Sequence, residues 1–91
     1  MAYTEKQITS VNEVIDKYAG TLDTYVQKTI KDVAKTKMTE GATDIEVADA
    51  VYDCINTSFC GNAVTAMMCQ QVCPKSVLLI LRNEIIAALK K

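Results

Sequence analysis

Histidine and tryptophan are absent from this chain, and it holds one proline, three glycines, one phenylalanine and a single arginine, Arg82. Each shortage excludes something. Without histidine the commonest general acid–base side chain is missing, and a cysteine nucleophile has no imidazole to activate it. No serine stands in a nucleophile elbow, and the glycines sit at turns and breaks, not in a phosphate-cradling loop. No catalytic residue is therefore assigned, and no enzyme activity is expected. One arginine among ten basic residues is poor equipment for bidentate phosphate recognition. With a net charge of −1, this argues against a nucleic-acid partner. Lys28, Lys31, Lys35 and Lys37 read as a solvated helix face. Long apolar runs are also missing. SVLLIL at 76–81 is the longest, and Arg82 ends it, so no membrane span is expected. The first twenty residues lack the apolar segment of a secretory leader.

What is present is aliphatic. Of the 91 residues 49% are hydrophobic and only 5% aromatic, enough for one core built from Ile, Val, Leu, Ala and Met. The whole chain, 1–91, reads as a single helical domain. Thr4-Glu5-Lys6-Gln7 has the form of a capping box that opens a helix. Ile8, Val11, Ile15, Tyr18, Leu22 and Tyr25 follow at alternating spacings of three and four, a heptad seam, and Val26, Ile30 and Val33 continue on a slightly rotated stripe. Gly20 interrupts the pattern. It fits either the end of a first helix or a costly position inside a longer one. Because the stripe runs through it almost in phase, one long or kinked N-terminal helix is expected over two.

Gly41 marks a clear break, and Thr43-Asp44-Ile45-Glu46 is a second capping box. The next helix, 44–59, is expected to face inward through Ile45, Ala48, Tyr52, Ile55 and Phe59, widened by Val47, Val51 and Cys54. Asp44, Glu46, Asp49 and Asp53 lie on a helix and not on a calcium-type loop, so they read as a solvated stripe. A short apolar helix then runs to Pro74, which also suits the first turn of a last helix. The inner stripe of that helix is Val77, Leu78, Leu81, Ile85, Ala88 and Leu89. The fold class is all-α, a four- to five-helix bundle with a cysteine-stapled helical hairpin and a C-terminal helix.

All four cysteines fall between residues 54 and 73, in the order C-x5-C-x8-C-x3-C. In an antiparallel helical hairpin, residues at one height have a nearly constant index sum. Cys54 with Cys73 and Cys60 with Cys69 meet that condition around one turn near Val64; the crossed pairing demands two different turns. A Cys69–Cys73 bond would join residues one turn apart on a helix, which reach each other poorly. Two nested disulfides, 54–73 and 60–69, are the expected state. Such a hairpin resembles in principle the small cysteine-stapled helical hairpins of the mitochondrial intermembrane space, although their twin cysteine spacings are absent here. Disulfides imply an oxidising setting (extracellular, virion or cell surface, intermembrane space) or a hyperthermophile cytoplasm. The competing readings of Cys54, Cys60, Cys69 and Cys73 are buried thiols that pack as small hydrophobes, with at most one disulfide, and a four-thiolate metal or iron–sulfur site, favoured only by the C-x3-C-P ending. No cofactor is assigned.

These features point to a non-enzymatic structural or interaction protein, of capsid, appendage or adaptor type. It is expected to pair with copies of itself or a protein partner through the seam Ile8, Val11, Ile15, Tyr18, Leu22 and Tyr25. A small carrier of an apolar ligand is the alternative, with Met67 and Met68 as candidates to line a pocket, though such a pair more often fills a core.

Overall fold

Each helix starts and stops where local chemistry requires. In the computed structural model, which describes residues 3–20, 24–57 and 75–90, Thr4 caps α1 (Glu5–Ala19). The Gln7 N–H donates to Thr4 Oγ1 at 3.2 Å, and the Thr4 N–H donates to Gln7 Oε1 at 2.8 Å. The reciprocal pair satisfies two donors that a helix start otherwise leaves open. Helix α2 (Thr24–Thr39) ends in a Schellman turn. Ala42 N–H reaches back to the Lys37 carbonyl and Gly41 N–H to that of Met38, both at 3.1 Å, with Gly41 at φ 82°, a conformation that suits glycine best. Thr43 caps α3 (Asp44–Ile55) through the second capping box. Helix α4 spans Lys75–Leu89.

The chain is all-helical among the described residues, with four helices. Helix α1 packs against α2 and α4, and α3 packs against the same two, so the helices form a ring around one core. Val11, Ile15, Ile30, Met38, Val47, Val51, Ile55, Leu78, Leu81 and Ile85 are all at most 2% exposed. Every helix contributes to this set. Burying a side chain of this size is worth about 1.5–3 kcal/mol, and the packing of amphipathic faces, more than propensity, makes such short helices persist.

Two sequence expectations change. First, the N-terminal region is two helices and not one. Helix α1 ends at Ala19, and Gly20 follows as its cap. A Cβ at Gly20 would run into the carbonyl oxygen of Asp16, so the chain leaves the helix here with a residue that carries none. Helix α2 folds back on α1. Lys31 Nζ meets Asp16 at 2.6 Å, and Gln27 Nε2 donates to the Gly20 carbonyl at 3.0 Å. The stripe passed through Gly20 in phase because both helices use it to face the same core. Second, the inner face of α3 is Val47, Ala48, Val51 and Ile55, while Ile45 is 50% exposed and Tyr52 half-buried. At about 100° per residue, Ile45 and Tyr52 fall on the flank of α3, turned away from the centre of the face that Val47, Ala48, Val51 and Ile55 bury. Helix α3 is regular to Ile55; Phe59 and the short helix expected before Pro74 lie outside the described residues. The α4 stripe agrees with its expectation, apart from Val77, which is half-buried.

Long-range polar contacts close the ring. Gln7 Nε2 donates to the Leu89 carbonyl at 3.1 Å, satisfying an orphan acceptor at the end of α4. Tyr3 Oη donates to the Ala42 carbonyl at 2.6 Å, tying the N-terminal segment to the α2–α3 turn. Burial, with Asp44 and Glu46 nearby, raises the Tyr3 phenol above its usual range.

The Thr43 box gives a direct test. Its N–H bonds Glu46 Oε1 at 3.0 Å, and the Glu46 N–H bonds Thr43 Oγ1 at 3.2 Å. Hydrogen bonding from the Thr43 backbone, then from its hydroxyl, holds the Glu46 carboxyl below its ordinary range, with Lys37 assisting. A depressed carboxyl pKa contributes stability that is present above the unfolded value and lost as pH falls through the folded one. Thr43→Ala is expected to cost about 1 kcal/mol at neutral pH. In urea titrations the stability gap between wild type and Glu46→Ala should close below about pH 4. A gap independent of pH would mean that the carboxylate form contributes nothing.

Candidate functional surface

Helix α4 carries more apolar surface than the core can use. Its inner stripe is buried, yet Leu79 and Ile80 are each 47% exposed. They lie on an outer face continued by Asn83 and Ala87, both exposed. The sequence signal was the run Val77-Leu78-Leu79-Ile80-Leu81: five consecutive apolar residues go all the way round a helix, and a helix apolar all round is one covered on every side.

Beside this face runs an open groove of about 500 Å³ between α1 and α4. Among the described residues it is lined by Val14, Ile80 and Ala87, with Glu13, Lys17 and Glu84 at its edges. Lys17 approaches Glu84 to 4.0 Å and lies 5.2 Å from the centre of the Tyr18 ring. Both members of that ion pair are well exposed, so the bond is weak and open to exchange. Glu13 forms no ion pair among the described residues.

The seam residues divide. Val11 and Ile15 are fully buried in the chain's own core, and Ile8 and Tyr18 pack against that core. They have little or no surface to offer a second copy, because α2 and α4 already cover them. Tyr25 is 77% exposed, and Leu22 lies outside the described residues. Of the exposed large apolar residues, Leu79 and Ile80 lie together on α4, Tyr25 belongs to the seam and Ile45 is on α3.

Cys54 is half-buried on α3 and packs against the core. Cys60, Cys69, Cys73, Met67 and Met68 lie outside the described residues, and so do the expected disulfide pairs. Tyr25, Val26, Thr29, Ile30 and Cys54 surround a small, rather enclosed pocket of about 110 Å³. Two of the four acidic residues of α3 are occupied structurally: Glu46 closes its capping box, and Asp49 accepts from Arg82 Nε at 2.5 Å. That bond raises the Arg82 guanidinium above its ordinary value and links α3 to α4. No helix among the described residues is long and apolar enough to cross a membrane.

In comparisons with known proteins, no family model, no curated protein and no solved structure matches this chain.

Proposed function

We propose that this protein is a non-enzymatic structural or interaction module that self-associates, serving as an assembly subunit or as an adaptor within a larger complex. The observation that carries the reading is the outer face of α4. Among the described residues, Leu79 and Ile80 stand half in water, beside a groove edged by charges of both signs. Apolar surface rimmed by polar groups is the pattern of a protein interface. Native mass spectrometry and light scattering from about 1 µM to roughly 500 µM, the range of ordinary self-association constants, test it. A discrete oligomer is expected; a monomer throughout the range overturns the reading.

The carrier alternative has one point in its favour, the pocket under Tyr25. At about 110 Å³ it is smaller than the roughly 300–1,000 Å³ of ordinary ligand sites, which favours the interface reading. For the cysteines we keep the nested pairs 54–73 and 60–69 as part of the proposal. Intact mass decides between them and a metal site. Loss of four protons without metal supports two disulfides; four thiols with metal mass that disappears on denaturation supports the four-cysteine centre.

A further inference from the structure

We propose that a second copy of this chain docks antiparallel on the α1–α4 face, about a two-fold axis that passes beside Asn83. The inference rests on the self-association reading and names its surface and its partner.

The first argument is size. Along the outer face of α4 the large residues, Leu79 and Ile80, come before Asn83 and the small one, Ala87, comes after it. A two-fold between antiparallel helices sets each copy's Leu79 over the other's Ala87, bulk against space, and brings each Ile80 level with the other's Ile86, which is half-buried against its own core. A parallel arrangement would stack bulk on bulk and leave a gap at Ala87. A two-fold contact must be self-complementary in this way. Asn83 then meets its own copy at the axis, where a lone polar residue in an apolar contact fixes register.

The second argument is charge. Helices α1 and α4 run antiparallel, since Gln7 reaches Leu89 and Lys17 reaches Glu84. With the axis beside Asn83, α1 of one copy faces α1 of the other, and each Lys17 comes level with the partner copy's stretch from Ser10 to Glu13. Glu13 is exposed and has no ion pair among the described residues. The present partner of Lys17 is a loose, solvated one. Two Lys17–Glu13 pairs therefore flank the apolar strip, a charged rim around a dry centre.

The test uses the full chain and reads dimer dissociation by sedimentation and native mass spectrometry, with circular dichroism to check folding. Ile80→Glu should weaken dimerisation by about 30-fold or more, the loss typical of a central apolar anchor. Lys17→Glu and Glu13→Lys should each weaken the homodimer by roughly tenfold, through like charges facing each other. Mixed together, these two variants should form a heterodimer about as tight as wild type, because each supplies the charge the other lacks. That rescue does not depend on how Ile80→Glu folds, and a purely structural role for either residue would not produce it. An oligomeric wild type that is indifferent to all three substitutions, with no heterodimer in the mixture, overturns this surface and leaves self-association standing. A monomeric wild type overturns both.

Discussion

Ile15→Ala is expected to lower the unfolding free energy by about 2–5 kcal/mol, while Tyr25→Ala costs less than about 1 kcal/mol. The two residues belong to one heptad-spaced seam in the sequence, yet their environments are opposite. Ile15 is fully buried where α1 meets α2 and α4; Tyr25 is 77% exposed in the first turn of α2. Truncating Ile15 loses transfer free energy and leaves a cavity in a core to which all four helices contribute. For a domain of this size each 1 kcal/mol shifts Tm by roughly 4–8 °C, which puts the upper end of the expected loss at tens of degrees. Urea unfolding followed by circular dichroism checks both variants. A loss at Ile15 below about 1 kcal/mol would mean that the seam faces solvent or a partner and that α1 is not part of the core.

That contrast shows which parts of this fold are legible in the sequence. Both capping boxes are, because Thr4 with Gln7 and Thr43 with Glu46 act across three residues and need nothing from the rest of the chain. The turn at Gly41 is legible for the same reason. The α4 stripe is legible because one period holds over its full length. The break at Gly20 is not. Two antiparallel helices that face one core can carry a continuous stripe, and periodicity alone does not record that the chain has reversed. The exposure of Ile45 is also hidden, since which flank of α3 is turned outward depends on where α2 and α4 pack against it. The links from Tyr3 to Ala42, Gln7 to Leu89 and Arg82 to Asp49 join residues 39, 82 and 33 positions apart. No local pattern announces such partners. The candidate surface was half-legible: the five-residue apolar run was visible, but which of its residues point outward follows only from the packing of Leu78 and Leu81 into the core.

Reduction of the two proposed disulfides is expected to have an effect as large as Ile15→Ala. The bond between Cys54 and Cys73 would close a loop of about 20 residues, and on a chain-entropy account a loop of this length is worth about 3 kcal/mol. The inner pair, Cys60 and Cys69, would then add less, because its loop is shorter and already lies within the outer one. Cys54 is the penultimate residue of α3 and packs against the core, so a bond there would tie residue 73 to the ring of helices. The pairing itself can be read from additivity. If Cys54 is bonded to Cys73, the double variant Cys54→Ala/Cys73→Ala is no less stable than the worse of its two singles, because one bond is lost in all three. Cys60→Ala/Cys69→Ala should behave in the same way. Cys54→Ala/Cys69→Ala breaks both bonds, and its loss should approach the sum of the two pairs. The crossed pairing reverses this pattern. If the cysteines are buried thiols, reductant has no effect, each substitution costs only its own packing, and the stapled hairpin is ruled out.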